Sequence, residues 1–354
     1  MNKKRAKRLR SLLGEKGLDA LLITTGEMIR YITGFSGSES VFLLTKRGGY
    51  LIVDSRYTSQ ARAECREFVI VEEREKFKGC QRIILKRGLK KIGFEPHTVT
   101  VAQHRALRSS GKIKLVALQK SFEGVRAVKD PGELKIIKSA ARMASESFRE
   151  LLGEIEVGDR EIDIAAALEY KIKKRGAEDT PFPFIVASGK RGAYPHGVAS
   201  SKKIRGNEFI TVDFGAVYRG YCSDETCTIF VGKPQKRQEV VYRAVKEAHD
   251  RAVEAVRPGK RAQEIDETAR AVLEQAGLGK YFRHGTGHGV GLAIHEEPRI
   301  APKQETVLEK DMVFTIEPGV YMPGWGGIRI EDTVRVTRGG CELMSSVPKA
   351  LIRI

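Results

Sequence analysis

The chain opens with apolar residues at helical spacing: Leu9, Leu12, Leu13 and Leu18 recur among Lys and Arg. This predicts an amphipathic helix over residues 3–16 with a solvated basic face, ended by Gly17. Short apolar runs follow at 20–23, 40–44 and 50–53, rich in Leu, Ile, Val and Phe, and they read as strands. Residues 56–64 read as a helix, 68–71 as a strand, 81–87 as a helix and 91–94 as a further strand. Strand and helix alternating at this spacing predict an α/β layer with a mixed sheet, which we assign to residues 1–122.

The pattern changes near Asp130-Pro131-Gly132-Glu133, where proline in a first turn with Glu close behind signals a helix start. Ile136, Ile137, Ala140, Ala144 and Phe148 continue that helix at the right period. Further helices are expected from near Glu161, from near Gln238, and over 262–275 up to Gly277. Apolar strand-like runs lie between and after them. Residues 123–354 therefore read as α+β, with helices against an antiparallel sheet whose other face carries polar residues.

Composition narrows the classes. With 354 residues, 41% hydrophobic and 31% charged, the chain has the make-up of a globular protein large enough for two domains. It has no run of 18 or more apolar residues, and no signal-peptide core follows the basic start. Five cysteines, Cys65, Cys80, Cys222, Cys227 and Cys341, show no zinc or redox spacing and fit a reduced cytoplasm. The net charge of +18 invites a nucleic-acid reading. Lys and Arg run along the whole chain, however, so neither a specific nucleic-acid partner nor a membrane partner is expected.

Candidate chemistry lies in the second domain. Asp213, Asp224, Glu317 and Glu331 sit in or beside apolar runs, and His288 lies in the glycine-rich run His284-Gly285-Thr286-Gly287-His288-Gly289. Any one acid alone could be a salt-bridge partner. Together, acids in such contexts are costly to bury unless paired or metal-bound. Tyr218-Arg219-Gly220 supplies turn chemistry, so 213 and 224 are expected to face each other across a hairpin centred between 218 and 219. Glu317 and Glu331 repeat the arrangement, with Pro318-Gly319 and Pro323-Gly324 turning the chain. Four carboxylates and one imidazole suit two divalent cations, Mn(II) first, with Co(II), Zn(II) or Fe(II) also able to bind, and point to metal-assisted hydrolysis.

These segments resemble the creatinase/aminopeptidase metallopeptidase family with the pita-bread fold, and within it the Xaa-Pro peptidases, prolidase and aminopeptidase P. The matching segments are Pro195-His196-Gly197, Asp213-Phe214-Gly215, Cys222-Ser223-Asp224, the run from His284 through Gly291, His295-Glu296, Ile316-Glu317-Pro318-Gly319 and Arg329-Ile330-Glu331-Asp332. The segments 30–35 and 54–57 resemble the smaller N-terminal domain of the same peptidases. The resemblance implies a creatinase-like α/β domain followed by a pita-bread domain. It implies Asp213, Asp224, His288, Glu317 and Glu331 as metal ligands, Asp224 and Glu331 bridging, and Glu317 as proton shuttle. It gives His196 and His295 to the substrate carbonyl, Arg329 to ordering the acidic site, and His284 to the proline-side pocket. Read from the residues alone, His196 could be a loop residue and His295 a strand-end histidine.

Two positions depart from the family pattern: Cys227 stands where an arginine is usual, and Glu27 where an asparagine is common. Proline-containing peptides are the implied substrates, since the bond before proline is a tertiary amide that general peptidases handle poorly. Dipeptidase and aminopeptidase P activities stay open, with a lean to the dipeptidase from the compact first domain. A silent peptide-binding module on this fold is the alternative of another class. Methionine aminopeptidase shares the ligands but lacks the extra domain, and creatinase-type amidinohydrolysis does not require the full two-metal set. A homodimer is also implied by the resemblance.

Overall fold

The computed structural model describes residues 2–108, 110–118 and 122–354, with the backbone alone for 2–4 and 123. The chain forms two compact units, Met1–Arg126 and Ala127–Ile354. Among the described residues, no helix is long and apolar enough to cross a membrane.

In the first unit the elements are α1 (Asn2–Glu15), β1 (Ala20–Ile23), α2 (Gly26–Thr33), β2 (Val41–Thr45), β3 (Gly49–Val53) and α3 (Thr58–Glu64). They continue with β4 (Val69–Glu72), α4 (Lys76–Lys86), β5 (Lys91–Phe94), α5 (Val101–Arg108) and β6 (Lys114–Ala117). The six strands form one mixed sheet in the order β4-β3-β2-β1-β5-β6, with β2 antiparallel to both neighbours. Leu22, Val41, Leu43, Ile52, Ile84, Ile92 and Leu107 fill its core. Three elements go beyond the sequence reading. Helix α2 is eight residues long and stops at Gly34, whose φ of 81° suits glycine; α5 is equally short, and β6 is an edge strand with no fully buried residue. The charge is also less even than expected. Met1–Arg126 holds 27 Lys and Arg against 12 Asp and Glu, which is +15 of the +18.

The second unit begins with α6 (Pro131–Leu151), α7 (Glu161–Lys174), β7 (Ile185–Ser188), β8 (Phe209–Phe214), β9 (Val217–Tyr218), β10 (Tyr221–Cys222) and β11 (Glu225–Phe230). Then come α8 (Lys236–Ala255), α9 (Ala262–Gln275), β12 (Gly287–Gly289), β13 (Glu296–Ile300) and β14 (Val313–Ile316). The last four strands are β15 (Gly319–Met322), β16 (Gly326–Arg329), β17 (Asp332–Val336) and β18 (Cys341–Leu343). The sheets are antiparallel: β11-β8-β7, β13-β12-β14-β17-β18, and the small pairs β9–β10 and β15–β16. Each larger sheet has its own core. Phe148, Leu168 and Ile172 pack on Val212, Phe214 and Ile229, while Val245, Ile265 and Leu273 pack with Phe314, Ile328 and Val334.

Helix α6 starts as the sequence predicts. The Asp130 side chain accepts from the Gly132 and Glu133 amides, and Glu133 accepts in return from the Asp130 amide at 2.8 Å. Glu133 also accepts a buried bond from the Tyr221 hydroxyl, so the cap steadies the hairpin as well. Asp130→Ala is expected to destabilise the protein by about 1 kcal/mol and to lower the melting temperature by about 2–4 °C; an unchanged melting curve would show that the cap is not stabilising.

Candidate metal centre

Two strand pairs build the site. From β14–β17 into β15–β16 the register is continuous: Ile316 faces Asp332 and Gly319 faces Arg329. The Ile330 amide donates to the Pro318 carbonyl across the gap, so Glu317 and Glu331 stand opposite each other as expected. Only the Pro323-Gly324 segment turns the chain; Pro318-Gly319 lies in the passage from one small sheet to the next.

The other pair differs from the expectation. Tyr218 pairs with Tyr221, leaving Arg219 and Gly220 as a two-residue loop with φ of 48° and 74°. Positive φ at both positions is what a type I′ hairpin demands. Asp213 therefore faces Thr226, not Asp224. The aspartates share a face but lie on a diagonal, because the turn sits further along the chain than symmetry about residues 218 and 219 would put it.

His288 enters from β12. That strand approaches its neighbours so closely that a Cβ on Gly287 would lie 1.9 Å from the Thr315 carbonyl oxygen. The His288 Nδ1 lies 3.1 Å from the Gly289 carbonyl, which can only accept, so Nδ1 carries the proton. Nε2 is then a bare lone pair, aimed at Asp224 Oδ2 at 3.6 Å and Glu317 Oε1 at 3.4 Å. Burial first, and the neighbouring His295 second, hold its pKa down at about 3. Asp224, His288 and Glu331 bring ligand atoms within 4.8 Å of one another.

Asp213 is at the edge of this group. Its Oδ2 accepts from Arg329 Nη2 at 2.5 Å, while Oδ1 is buried with no hydrogen-bond partner, as is Asp224 Oδ1. Arg329 is itself buried and satisfied. It donates to Thr226 Oγ1, to the Tyr321 hydroxyl at 2.9 Å and to the Pro195 carbonyl at 3.1 Å. Tyr321 in turn lies 3.1 Å from His284 Nε2, and His284 Nδ1 lies 2.8 Å from the Gly285 carbonyl. The Tyr321 hydroxyl accepts from Arg329, so its own proton goes to Nε2 and His284 is neutral. Burial lowers the His284 pKa to about 4.

His295 and His196 line the open side. His295 is exposed, with its ring centroid 4.2 Å from that of His288. His196 is exposed on the loop held by Arg329, close enough to His295 and His284 for its charge to depress both. Two further side chains belong here without any motif of their own. Tyr321 links Arg329 to His284, and Arg299 is the cross-strand partner of His288. Arg299 is exposed and acts electrostatically on both His288 and His295. Only the β12–β13 register, which includes a bulge after His288, would have revealed it.

Burial, then repulsion from neighbouring carboxylates, raises the carboxyl pKa values of Asp224 and Glu331 well above normal; burial, against the lowering pull of Arg329, brings Glu317 to about 8. Orphaned buried oxygens, a bare imidazole nitrogen facing carboxylates, and acids that resist ionising together form a donor set that fits hard divalent cations.

Known proteins agree with this chemistry. Residues 135–338 match the model of metallopeptidase family M24, and residues 5–128 match that of the creatinase/prolidase N-terminal domain. The Xaa-Pro dipeptidase of Pyrococcus horikoshii is 37% identical, with 99% of each chain aligned. The structure of an Xaa-Pro dipeptidase from Bacillus anthracis superposes with a TM-score of 0.97 at 39% identity, covering 100% of both chains. The crystal structure of an X-Pro aminopeptidase from Thermotoga maritima gives 0.90 at 36% identity over 99% of both. The chain belongs to metallopeptidase family M24, with a creatinase-like first domain and a pita-bread second domain.

The raised Glu317 pKa fixes a pH dependence for the metal-free protein. The folded state holds this proton more tightly than the unfolded chain does, with pKa values of about 8 against 4.5. The group therefore stabilises the fold at low pH, and that contribution is lost as pH rises from 4.5 through 8. With a chelator present, Glu317→Gln should melt above the parent at a pH well above 8, with the gap closing toward pH 5. A gap independent of pH would contradict the assignment.

Proposed function

We propose that this chain is an Xaa-Pro dipeptidase working with two divalent cations, Mn(II) in preference. Asp213, Asp224, His288, Glu317 and Glu331 would hold them, with Asp224 and Glu331 the pair that would serve both cations. The observation that carries the reading is the aimed imidazole: His288 directs an unprotonated Nε2 into carboxylates 3.4 and 3.6 Å away. That arrangement turns a lone pair and carboxyl oxygens toward one point, the donor set a cation between the groups would take up. Once bound, such a cation pair supplies an activated water at neutral pH and polarises a carbonyl. An oxygen-rich set with one nitrogen favours Mn(II) over softer metals.

The protein's own groups do the rest. Glu317 is the proton shuttle: it is half-buried at the edge of the site, with its carboxyl 3.4 Å from His288 Nε2, placed to take and return the proton of the attacking water. His295 and His196, both exposed on the open side, donate to the oxygen of the scissile carbonyl as negative charge develops there. Arg329 is fully engaged by protein partners and does not reach substrate. It holds Asp213 and, through the Pro195 carbonyl, the loop of His196. Neutral His284, pinned by Tyr321, walls the pocket for the proline ring. A site that asks for no amide proton accepts the bond before proline.

Arg299 favours the dipeptidase over aminopeptidase P. An exposed guanidinium opposite His288 is suited to the free carboxylate of a two-residue substrate, and a longer peptide has no carboxylate there. Five cysteines free of disulfides suit a cytoplasmic protein, and the family resemblance supports a homodimer.

The manganese-loaded protein is expected to cleave Xaa-Pro and to turn over Xaa-Pro-Yaa-Zaa far more slowly. Arg299→Ala should raise KM for the dipeptide by about 10-fold or more, the worth of one charged hydrogen bond, without touching metal content. Equal use of both substrates would contradict the dipeptidase assignment. Asp224→Asn should lose both metal and turnover, whereas His295→Ala should lose about 10²–10⁴-fold in kcat and keep its metal. Full activity in Asp224→Asn would overturn the metal-centre reading.

A further inference from the structure

Behind the ligand strands lies a second charged cluster that the reaction does not use. Successive side chains of a strand point to opposite faces. Asp224 and Glu331 face the site, and their neighbours Glu225 and Asp332 face away from it. On that far side Lys349 Nζ lies 2.6 Å from Glu225 Oε1, 3.4 Å from Asp332 Oδ1 and 3.5 Å from Cys227 Sγ. The side chains of Lys349, Glu225 and Asp332 are 7%, 2% and 3% exposed.

Further groups surround both carboxylates. Ser145 Oγ donates to Glu225 Oε2 at 2.5 Å and the Val347 amide to Oε1 at 3.0 Å. Ser345 Oγ donates to Asp332 Oδ1 at 2.5 Å, and His249 Nε2 lies 3.2 Å from Oδ2. One ammonium thus joins a residue of β11 to a residue of β17, each a single peptide unit from a proposed bridging ligand. Around those ligands the two strands also meet through the Glu331 amide on the Thr226 carbonyl at 3.2 Å, Thr226 Oγ1 on Glu331 Oε2 at 2.6 Å and Thr333 Oγ1 on the Asp224 carbonyl at 2.7 Å, all on or beside the site face, whereas the ammonium ties the strands from behind.

Burying three charges to fill space is poor design, since apolar side chains of similar size serve stability as well or better. The arrangement makes sense as a positioning device. Asp224 and Glu331 repel each other, which tends to spread β11 and β17 on the site side. A shared cation behind them opposes that spreading. Metal–ligand distances tolerate only about ±0.2 Å, so the strand separation matters to the centre.

We propose that Lys349 is a positioning residue for the metal centre: its ammonium ties β11 to β17 through Glu225 and Asp332, and so sets the spacing of Asp224 and Glu331. This rests on the metal-centre reading above. The test uses the full chain, stripped of metal and titrated with cobalt(II) alone, in parent, Asp224→Asn, Lys349→Met, Lys349→Arg and Glu225→Gln forms. Affinity and the visible d–d absorption are followed, then kcat and KM at saturating metal, with circular dichroism to confirm folding.

Lys349→Met is expected to bind cobalt(II) about 10–100-fold more weakly, with an altered d–d spectrum and a lowered kcat at unchanged KM. Lys349→Arg should restore much of both. Glu225→Gln keeps the size of the side chain and removes its charge. It should shift affinity and spectrum in the same direction, and it carries the test should the methionine variant fail to fold. A purely structural lysine would lower the melting temperature alone. Parent-like affinity, spectrum and kcat in folded Lys349→Met, or in Glu225→Gln where the former does not fold, would overturn the proposal while Asp224→Asn still lost its metal. A parent that binds no cobalt(II) would overturn the metal-centre reading and this proposal with it.

Discussion

Four carboxylates brought to one place in a folded chain repel, and the structure is organised around that repulsion. Asp224 and Glu331 are nearly inaccessible to water, at 4% and 2% exposure, so solvent cannot screen them. Arg329 reaches the group from within the fold, its Nη2 bound to Asp213. Asp224, Glu317 and Glu331 hold their protons more tightly than free carboxyls do, and divalent cations would take the place of those protons. The neutral histidines fit the same constraint: His288 and His284 give up their protons so that lone pairs, not positive charges, sit in the wall of a site meant for metals.

The backbone supplies the precision. A continuous register from β14–β17 into β15–β16 sets Glu317 against Glu331, and the close-packed, glycine-rich β12 brings His288 Nε2 to Glu317 and Asp224. Arg329 then couples what the strands cannot. It joins the Asp213 strand, Tyr321 and the His196 loop in one set of hydrogen bonds, so ligand geometry and substrate-facing groups are held by the same side chain. The further cluster around Lys349 extends this logic to the reverse face of the same strands.

Much of this was legible from the amino-acid pattern, and the exceptions have physical causes. Helices α6 and α9 and strand β5 follow from period and punctuation, because long amphipathic runs and capping residues are local signals. The Glu317–Glu331 pairing was legible because the chain between them is symmetric about one turn. The Asp213–Asp224 pairing failed because Arg219 takes a left-handed conformation that its side chain does not announce. Arg299, Tyr321 and Lys349 gain their meaning from partners brought by tertiary pairing; Lys349 meets Glu225 across 124 residues, and no spacing rule spans that distance. Helix α2 and strand β6 escaped notice because short elements carry too few periods to stand out.

The central claim is that this cage of acids exists to hold a pair of cations. X-ray diffraction from crystals grown with manganese, recorded on either side of the manganese absorption edge, tests it most directly. The account predicts two anomalous peaks about 3.5–4 Å apart, bounded by Asp213, Asp224, His288, Glu317 and Glu331. An anomalous map with no peak among these side chains, at full manganese saturation of the crystal, would contradict it.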